Sequence, residues 1–159
     1  MNKAQFEVLA AKYRDMVYRV ALNRLRNPAD AEDVVQDVLL KLYLHKVGFA
    51  DERYAKHWLI RVTLNRCNSL WRSPWKKAVS MEELCRDIPF TDTKDSELFM
   101  AVMALPEQHR TILYLFYYED LTVKEIADLM GLTVTTVTSR LHRARKRLKY
   151  DLTEGASHV

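Results

Sequence analysis

The stretch TVKEIADLMGLTVTTVTSRLHRARKRLK, Thr122 to Lys149, decides how this chain is read. Its first half is an amphipathic helix. Thr122 and Glu125 have the spacing of a capping box, in which a threonine hydroxyl and a glutamate three residues on satisfy each other's backbone N–H groups. Ile126, Ala127 and Met130 then face one way. Gly131 suits the left-handed backbone that closes a helix, Leu132 plugs the turn, and Thr133 suits the next N-cap. Beyond it Val137, Leu141, Ala144 and Leu148 recur at helical intervals and form a buried stripe. Val134 to Thr138 is β-branched and locally suits a strand, but no strand explains that spacing. Two helices across a short glycine turn make a helix-turn-helix.

The other face of the second helix carries Thr136, Ser139, Arg140, His142, Arg143, Arg145, Lys146 and Arg147. Short hydroxyls near its start let the backbone approach phosphates. Arg143 is long enough to fork onto guanine N7 and O6. Arg140, Arg145 and Arg147 are placed for phosphates, which give affinity without sequence information. Turn, cap, stripe and charge agree on a DNA-reading helix, against the plainer alternative of a solvated basic face.

Working outward, the 159 residues suit one average domain or two small ones. Only 3 glycines and 4 prolines favour an all-α chain. The net charge of +4 is compatible with a nucleic-acid partner but does not itself select one. Cys67 and Cys85 sit in no zinc-ligand spacing, so no metal or other cofactor is expected and the thiols are expected to be reduced. Lys3, Glu7 and Lys12 interrupt the N-terminal segment as a leader, and no apolar run approaches the roughly 20 residues of a bilayer span. A cytoplasmic protein with no direct membrane insertion is expected.

The apolar periodicity divides the chain into two helical lobes. In the first, Phe6, Leu9, Tyr13, Val17, Val20 and Ala21 form a stripe that Asn27-Pro28 ends. Asp30 is then expected to cap a helix carrying Val34, Val38 and Leu42, with Gly48 beyond its end. Trp58, Leu59, Val62 and Leu70 are expected to be the buried face of the next. In the second lobe, Asp95 or Ser96 is expected to cap a helix carrying Leu98, Val102 and Leu105. Pro106 suits the first turn of the helix after it, which carries Ile112, Leu113, Leu115 and Phe116. The expected domains are residues 1–72 and 95–150, with a flexible linker over 73–94 and a tail over 151–159.

Two features of the first lobe carry chemistry. From Arg53 to Met81 there is no acidic residue, while Trp58, Trp71 and Trp75 lie among seven cations. Aromatics interleaved with cations suit unstacked bases, each stack being worth about 1–3 kcal/mol; Trp58, on a stripe with Val62, is as readily core. A duplex reader and a single-strand surface in one chain imply a protein that helps to open DNA. Asp30, Glu32, Asp33 and Asp37 crowd one helix start. Carboxylates four apart suit Mg²⁺, but nothing completes a metal-dependent active site, and acidic residues also favour a helix N-terminus. An exposed face for a basic protein partner is the better reading.

These motifs, in this order, resemble the extracytoplasmic-function group of bacterial RNA polymerase sigma factors, over about Phe6 to Leu148. DAEDVVQDVLLKLY, Asp30 to Tyr43, resembles the polymerase-binding helix of region 2. WLIRVTLNRCNSLWR, Trp58 to Arg72, resembles its strand-opening segment. LPEQHRTILYLFYYEDLTVKEIADLMGLTVTTVTSRLHRARKRL, Leu105 to Leu148, resembles region 4. The resemblance implies two small helical domains and a non-enzymatic transcription factor whose partners are core RNA polymerase, promoter DNA as duplex and melted strand, and an anti-sigma factor. It implies that Asp33, Gln36, Asp37 and Leu40 dock on the polymerase. Arg61, Asn65, Arg66, Ser69 and Arg72 would serve the minus-ten element, with Asn65 at a flipped base. Ser139, His142 and Arg143 would face minus-thirty-five bases, and Thr136, Arg140 and Arg145 would hold phosphates. Ser69 stands where the family usually has Asp or Asn, and Thr135 where it usually has Gly. The alternative is a stand-alone helix-turn-helix regulator, for which no dimerisation helix is evident.

Overall fold

The computed structural model of the chain describes residues 2–71, 79–86 and 93–157, and among these every regular element is a helix. Two compact units divide between Ala78 and Val79. Arg72, Trp75, Pro74 and Pro89 lie outside the described residues.

The first unit holds three helices. α1, Lys3–Leu25, opens on a capping box between Asn2 and Gln5. Its buried face is Tyr13, Met16, Val17, Val20 and Ala21, while Phe6 and Leu9 at its start are half-buried. Arg26 closes it in the left-handed region, at φ 54°. α2 spans Pro28–Tyr43, and its cap is Asn27, not Asp30. The residue before a proline is driven to extended backbone, and the proline ring is already shaped for the first helical position. Asn27 therefore sits at φ −146°, ψ 110°, and its side-chain oxygen accepts the Asp30 N–H at 3.1 Å. Asp30 itself is buried in the first turn. The helix ends well before Gly48.

α3, Glu52–Trp71, packs against both α1 and α2. A helix with two neighbours buries a wider arc. Ala55, Leu59, Ile60, Thr63, Leu64 and Cys67 are buried, whereas Trp58, Val62 and Leu70 are only half-buried. Of the face expected from periodicity, Leu59 alone lies in the core.

The second unit holds α4, Met81–Arg86; α5, Thr93–Met103; α6, Glu107–Tyr117; α7, Val123–Met130; and α8, Val134–Ser157. α4 falls inside the stretch read as linker. Ser80 Oγ accepts the Glu83 N–H at 3.2 Å, and Leu84 is buried. α5 begins two residues before Asp95, so neither Asp95 nor Ser96 is its cap, and Leu98 is exposed while Met103 and Leu105 are buried. Pro106 is the residue just ahead of α6, with Ile112, Leu113 and Leu115 in the core. Arg110 is buried and donates to the carbonyls of Met103 at 3.3 Å and Leu105 at 3.1 Å. It thus satisfies acceptors left over at the α5 C-terminus.

The turn between α7 and α8 follows the expected chemistry. Thr122 and Glu125 form both capping-box hydrogen bonds, at 3.1 and 3.0 Å. Gly131 takes φ 66°, and its N–H and that of Leu132 both reach the Ala127 carbonyl. Thr133 Oγ1 accepts the Thr136 N–H at 3.1 Å. A Cβ at Gly131 would meet nothing within 4 Å, so only backbone strain opposes a side chain there. Gly131→Ala is expected to destabilise the second unit by about 1–2 kcal/mol. Urea unfolding followed by circular dichroism measures it. All three tryptophans precede residue 79, so the tryptophan fluorescence transition should stay in place.

Candidate nucleic-acid interface

The rotation of α8 is set by Val137, Leu141 and Ala144, which are buried against the second unit; Leu148 is half-buried. With that side fixed, Ser139, His142, Arg143 and Arg145 are exposed, and Thr136 and Arg140 lie half-buried at the border. Lys146 and Arg147 are exposed as well, but Arg147 pairs with Asp151 at 3.1 Å on its own helix. The short hydroxyls are partly occupied. Thr136 and Thr133 share a hydrogen bond at 2.8 Å, and Thr138 donates to the Val134 carbonyl at 2.8 Å.

Two contacts on this helix were not legible in the sequence. Arg145 donates from Nε to the Tyr117 hydroxyl at 2.5 Å, and its guanidinium lies 5.2 Å from the Phe116 ring and 5.4 Å from the Tyr117 ring. A cation on an aromatic face is attracted by the ring quadrupole. Here the aromatic edge of α6 also fixes the direction of the guanidinium. His109 sits near the start of α6 with Nδ1 buried and unpartnered. Burial, then the nearby charges of Arg140 and Arg143, hold its pKa below the ordinary histidine value. The lowered pKa favours the neutral imidazole near the charges of Arg140 and Arg143.

In the first unit, Asp33, Gln36 and Leu40 are exposed on one side of α2, and Asp37 is half-buried among them. The spacing of three and four residues brings all four to one face. Leu40, Tyr43, Leu44 and Val47 continue as an exposed apolar strip from the end of α2, each 57–71% accessible. Of the helix's carboxylates, Asp30 is buried and two others are paired. Glu32 meets Arg14 at 3.5 Å, and Asp37 Oδ2 accepts Arg66 Nε at 2.6 Å. Among the described residues no three His, Cys, Asp or Glu side chains gather as a metal site.

On α3, Arg61, Asn65 and Ser69 recur every four residues and are all exposed on one face. Arg66 is half-buried and turned toward α2 through Asp37. Asn68 accepts from Arg24 at 2.8 Å. Trp58 is neither an open stacking platform nor full core. It lies 4.7 Å from the His45 ring and 5.5 Å from Phe49, in a small aromatic cluster. No helix among the described residues is long and apolar enough to cross a membrane.

Comparison with known proteins matches this arrangement on both units. Sigma-70 region 2 matches residues 9–77, and Sigma-70, region 4 matches residues 96–148. The chain is 31% identical to the RNA polymerase sigma-E factor of Streptomyces avermitilis, over 93% of this chain and 85% of that protein. It is 28% identical to the RNA polymerase sigma factor SigV of Bacillus subtilis, over 96% of this chain and 94% of that one. Among solved structures, CnrH in complex with the cytosolic domain of CnrY superposes with a TM-score of 0.70 at 25% identity, covering 96% of this chain and 90% of that one. The sigma factor RpoE of Bartonella quintana, solved with the anti-sigma factor NepR, shares the fold at a TM-score of 0.75 and 20% identity, covering 94% and 97%.

The thiol on α3 allows a direct check of the packing. Burial pushes the Cys67 thiol up to about 12, despite the nearby charges of Arg24 and Arg66. At pH 8 it is protonated and enclosed. Iodoacetamide, with labelled peptides identified by mass spectrometry, is expected to leave Cys67 unmodified in the folded chain and to modify it fully in guanidinium. Rapid labelling of the folded chain at Cys67 would contradict the packing of α3.

Proposed function

The chain belongs to the extracytoplasmic-function group of the sigma-70 family, as an alternative sigma factor that directs RNA polymerase to its promoters, and we propose how its residues divide that work. Residues 1–72 form the unit that binds core polymerase and serves the minus-ten element. Residues 95–150, within the second unit, read the minus-thirty-five element; 73–94, which includes α4, precedes them, and 151–159 follows as a tail that α8 enters. The observation that carries this reading is the outward face of α8, hydroxyls then arginines, presented directly after a glycine-closed turn.

On α8, Ser139, His142 and Arg143 meet base edges in the major groove, and Thr136, Arg140 and Arg145 hold phosphates. On α3, Arg61 and Arg66 attract the strand backbone while Asn65 and Ser69 face an unstacked base; Arg72 adds a further cation in the sequence. On α2, Asp33, Gln36, Asp37 and Leu40 dock on the polymerase. The exposed apolar side chains from Leu40 to Val47 support a protein partner there, since several large apolar side chains left open on one segment favour burial against a partner. The protein performs no catalysis of its own and works in the cytoplasm. An anti-sigma factor holds it inactive, a reading supported by its likeness in fold to the sigma factor RpoE, which was solved in complex with the anti-sigma factor NepR.

Co-elution of the purified chain with bacterial core RNA polymerase from a sizing column tests the assignment first. A folded chain that elutes alone would instead support a stand-alone helix-turn-helix regulator. Asp37→Arg is expected to abolish co-elution without altering the circular dichroism spectrum; unchanged affinity would place the docking face elsewhere. Arg143→Ala is expected to cost about 1–3 kcal/mol on minus-thirty-five duplex and to relax preference at its base. An equal loss on all duplexes, measured by anisotropy at fixed salt, would make Arg143 a phosphate contact.

A further inference from the structure

One ion pair joins the two candidate faces of the first unit. Arg66 on α3 donates from Nε to Asp37 Oδ2 on α2 at 2.6 Å, and the two side chains are 36% and 41% exposed. Arg66 makes no second ion pair among the described residues, and its neighbour on α3 is Asn65. We propose that Asp37, beyond docking, is the positioning residue of Arg66: it masks the Arg66 charge in the free chain and yields it to the DNA strand when the polymerase engages Asp37. The inference rests on the functional reading above.

The physical argument is competition for one carboxylate. While Asp37 holds Arg66, the pair presents almost no net charge to a phosphate. A polymerase cation drawn to Asp37 shares that carboxylate and loosens its hold on Arg66. The guanidinium, always charged, then turns to the strand beside Asn65. Because the pair is partly exposed it is a weak tether, so a modest docking energy suffices to shift it. Asp33, one turn earlier on the same face, is exposed and makes no ion pair among the described residues. It carries the same charge without touching Arg66.

That difference supplies the control. A fluorescein-labelled single strand of mixed sequence is titrated with the full chain at low salt, without polymerase, and followed by anisotropy. Asp37→Asn is expected to bind about three- to fivefold more tightly than the wild type, the range an exposed ion pair allows. Its salt dependence should steepen by about 0.7, the slope for one further phosphate contact on a single strand. Asp33→Asn, which changes the net charge equally, should gain less than about twofold by the same reasoning on exposed charges. The Asp37→Asn gain should vanish in Asp37→Asn/Arg66→Ala. Equal gains from the two asparagine variants, or a gain that survives loss of Arg66, would overturn masking. Failure of the functional reading looks different: Arg61→Ala and Asn65→Ala would then leave strand binding unchanged. No binding by any variant would remove both.

Discussion

Val137, Leu141 and Ala144 fix the rotation of α8 about its own axis, and the functional reading of the second unit depends on that angle. A helix turns once in about 3.6 residues, so burying those three positions leaves no freedom in where their neighbours point. Arg143 and His142 are carried to open solvent. Thr136 and Arg140 fall at the border, where their backbone is close to a surface and their side chains must reach. Arg145, one step past Ala144, is thrown to the flank against α6, where Tyr117 meets it. The glycine turn sets how α8 leaves α7; the stripe sets what it shows. Neither alone would make a reading head.

Three arginines of this fold are held in different ways, and the differences are chemical. Arg110 is buried, donating from Nη1 to two carbonyls at and just beyond the end of α5. Arg145 is held through Nε by a neutral phenol and two rings, so its charge stays whole while its direction is restricted. Arg66 is also held through Nε, but by a carboxylate, so direction and charge are both taken up. A neutral tether pre-organises a phosphate ligand; an anionic one withholds it. The same side chain thus serves packing, presentation and reserve, according to what touches Nε or the fork.

The parts legible in the sequence were those decided within a few residues. The capping box at Thr122, the left-handed Gly131 and the α8 stripe all depend on local spacing, and all stand in the structure except that Leu148, the last of the stripe, is half-buried. The Asp30 cap failed because Asn27-Pro28 was read only as a stop, although the asparagine before a proline is also a starter. Helix α4 was missed although Ser80 and Glu83 have capping spacing. The buried face of α3 was misjudged because a helix between two others is rotated by both, which no single periodicity encodes. The contacts that tune the candidate faces were invisible for the same reason. Asp37 and Arg66 lie 29 residues apart, and Tyr117 and Arg145 lie 28 apart, on different helices.

The two partner classes make opposite physical demands, and the chain separates them by surface type. In the proposed division, DNA is met by cations and hydroxyls on α3 and α8, where affinity would come from released counterions and weaken as salt rises. The proposed polymerase face couples Asp33 and Asp37 on α2 to exposed Leu40, Tyr43, Leu44 and Val47 at and beyond its end. Apolar burial tolerates salt, while the carboxylates steer and set register. On that division, the factor would keep its hold on polymerase under ionic conditions that loosen its hold on DNA. The protein contact can then persist while promoters are sampled, and the Arg66–Asp37 pair sits where these two surfaces adjoin.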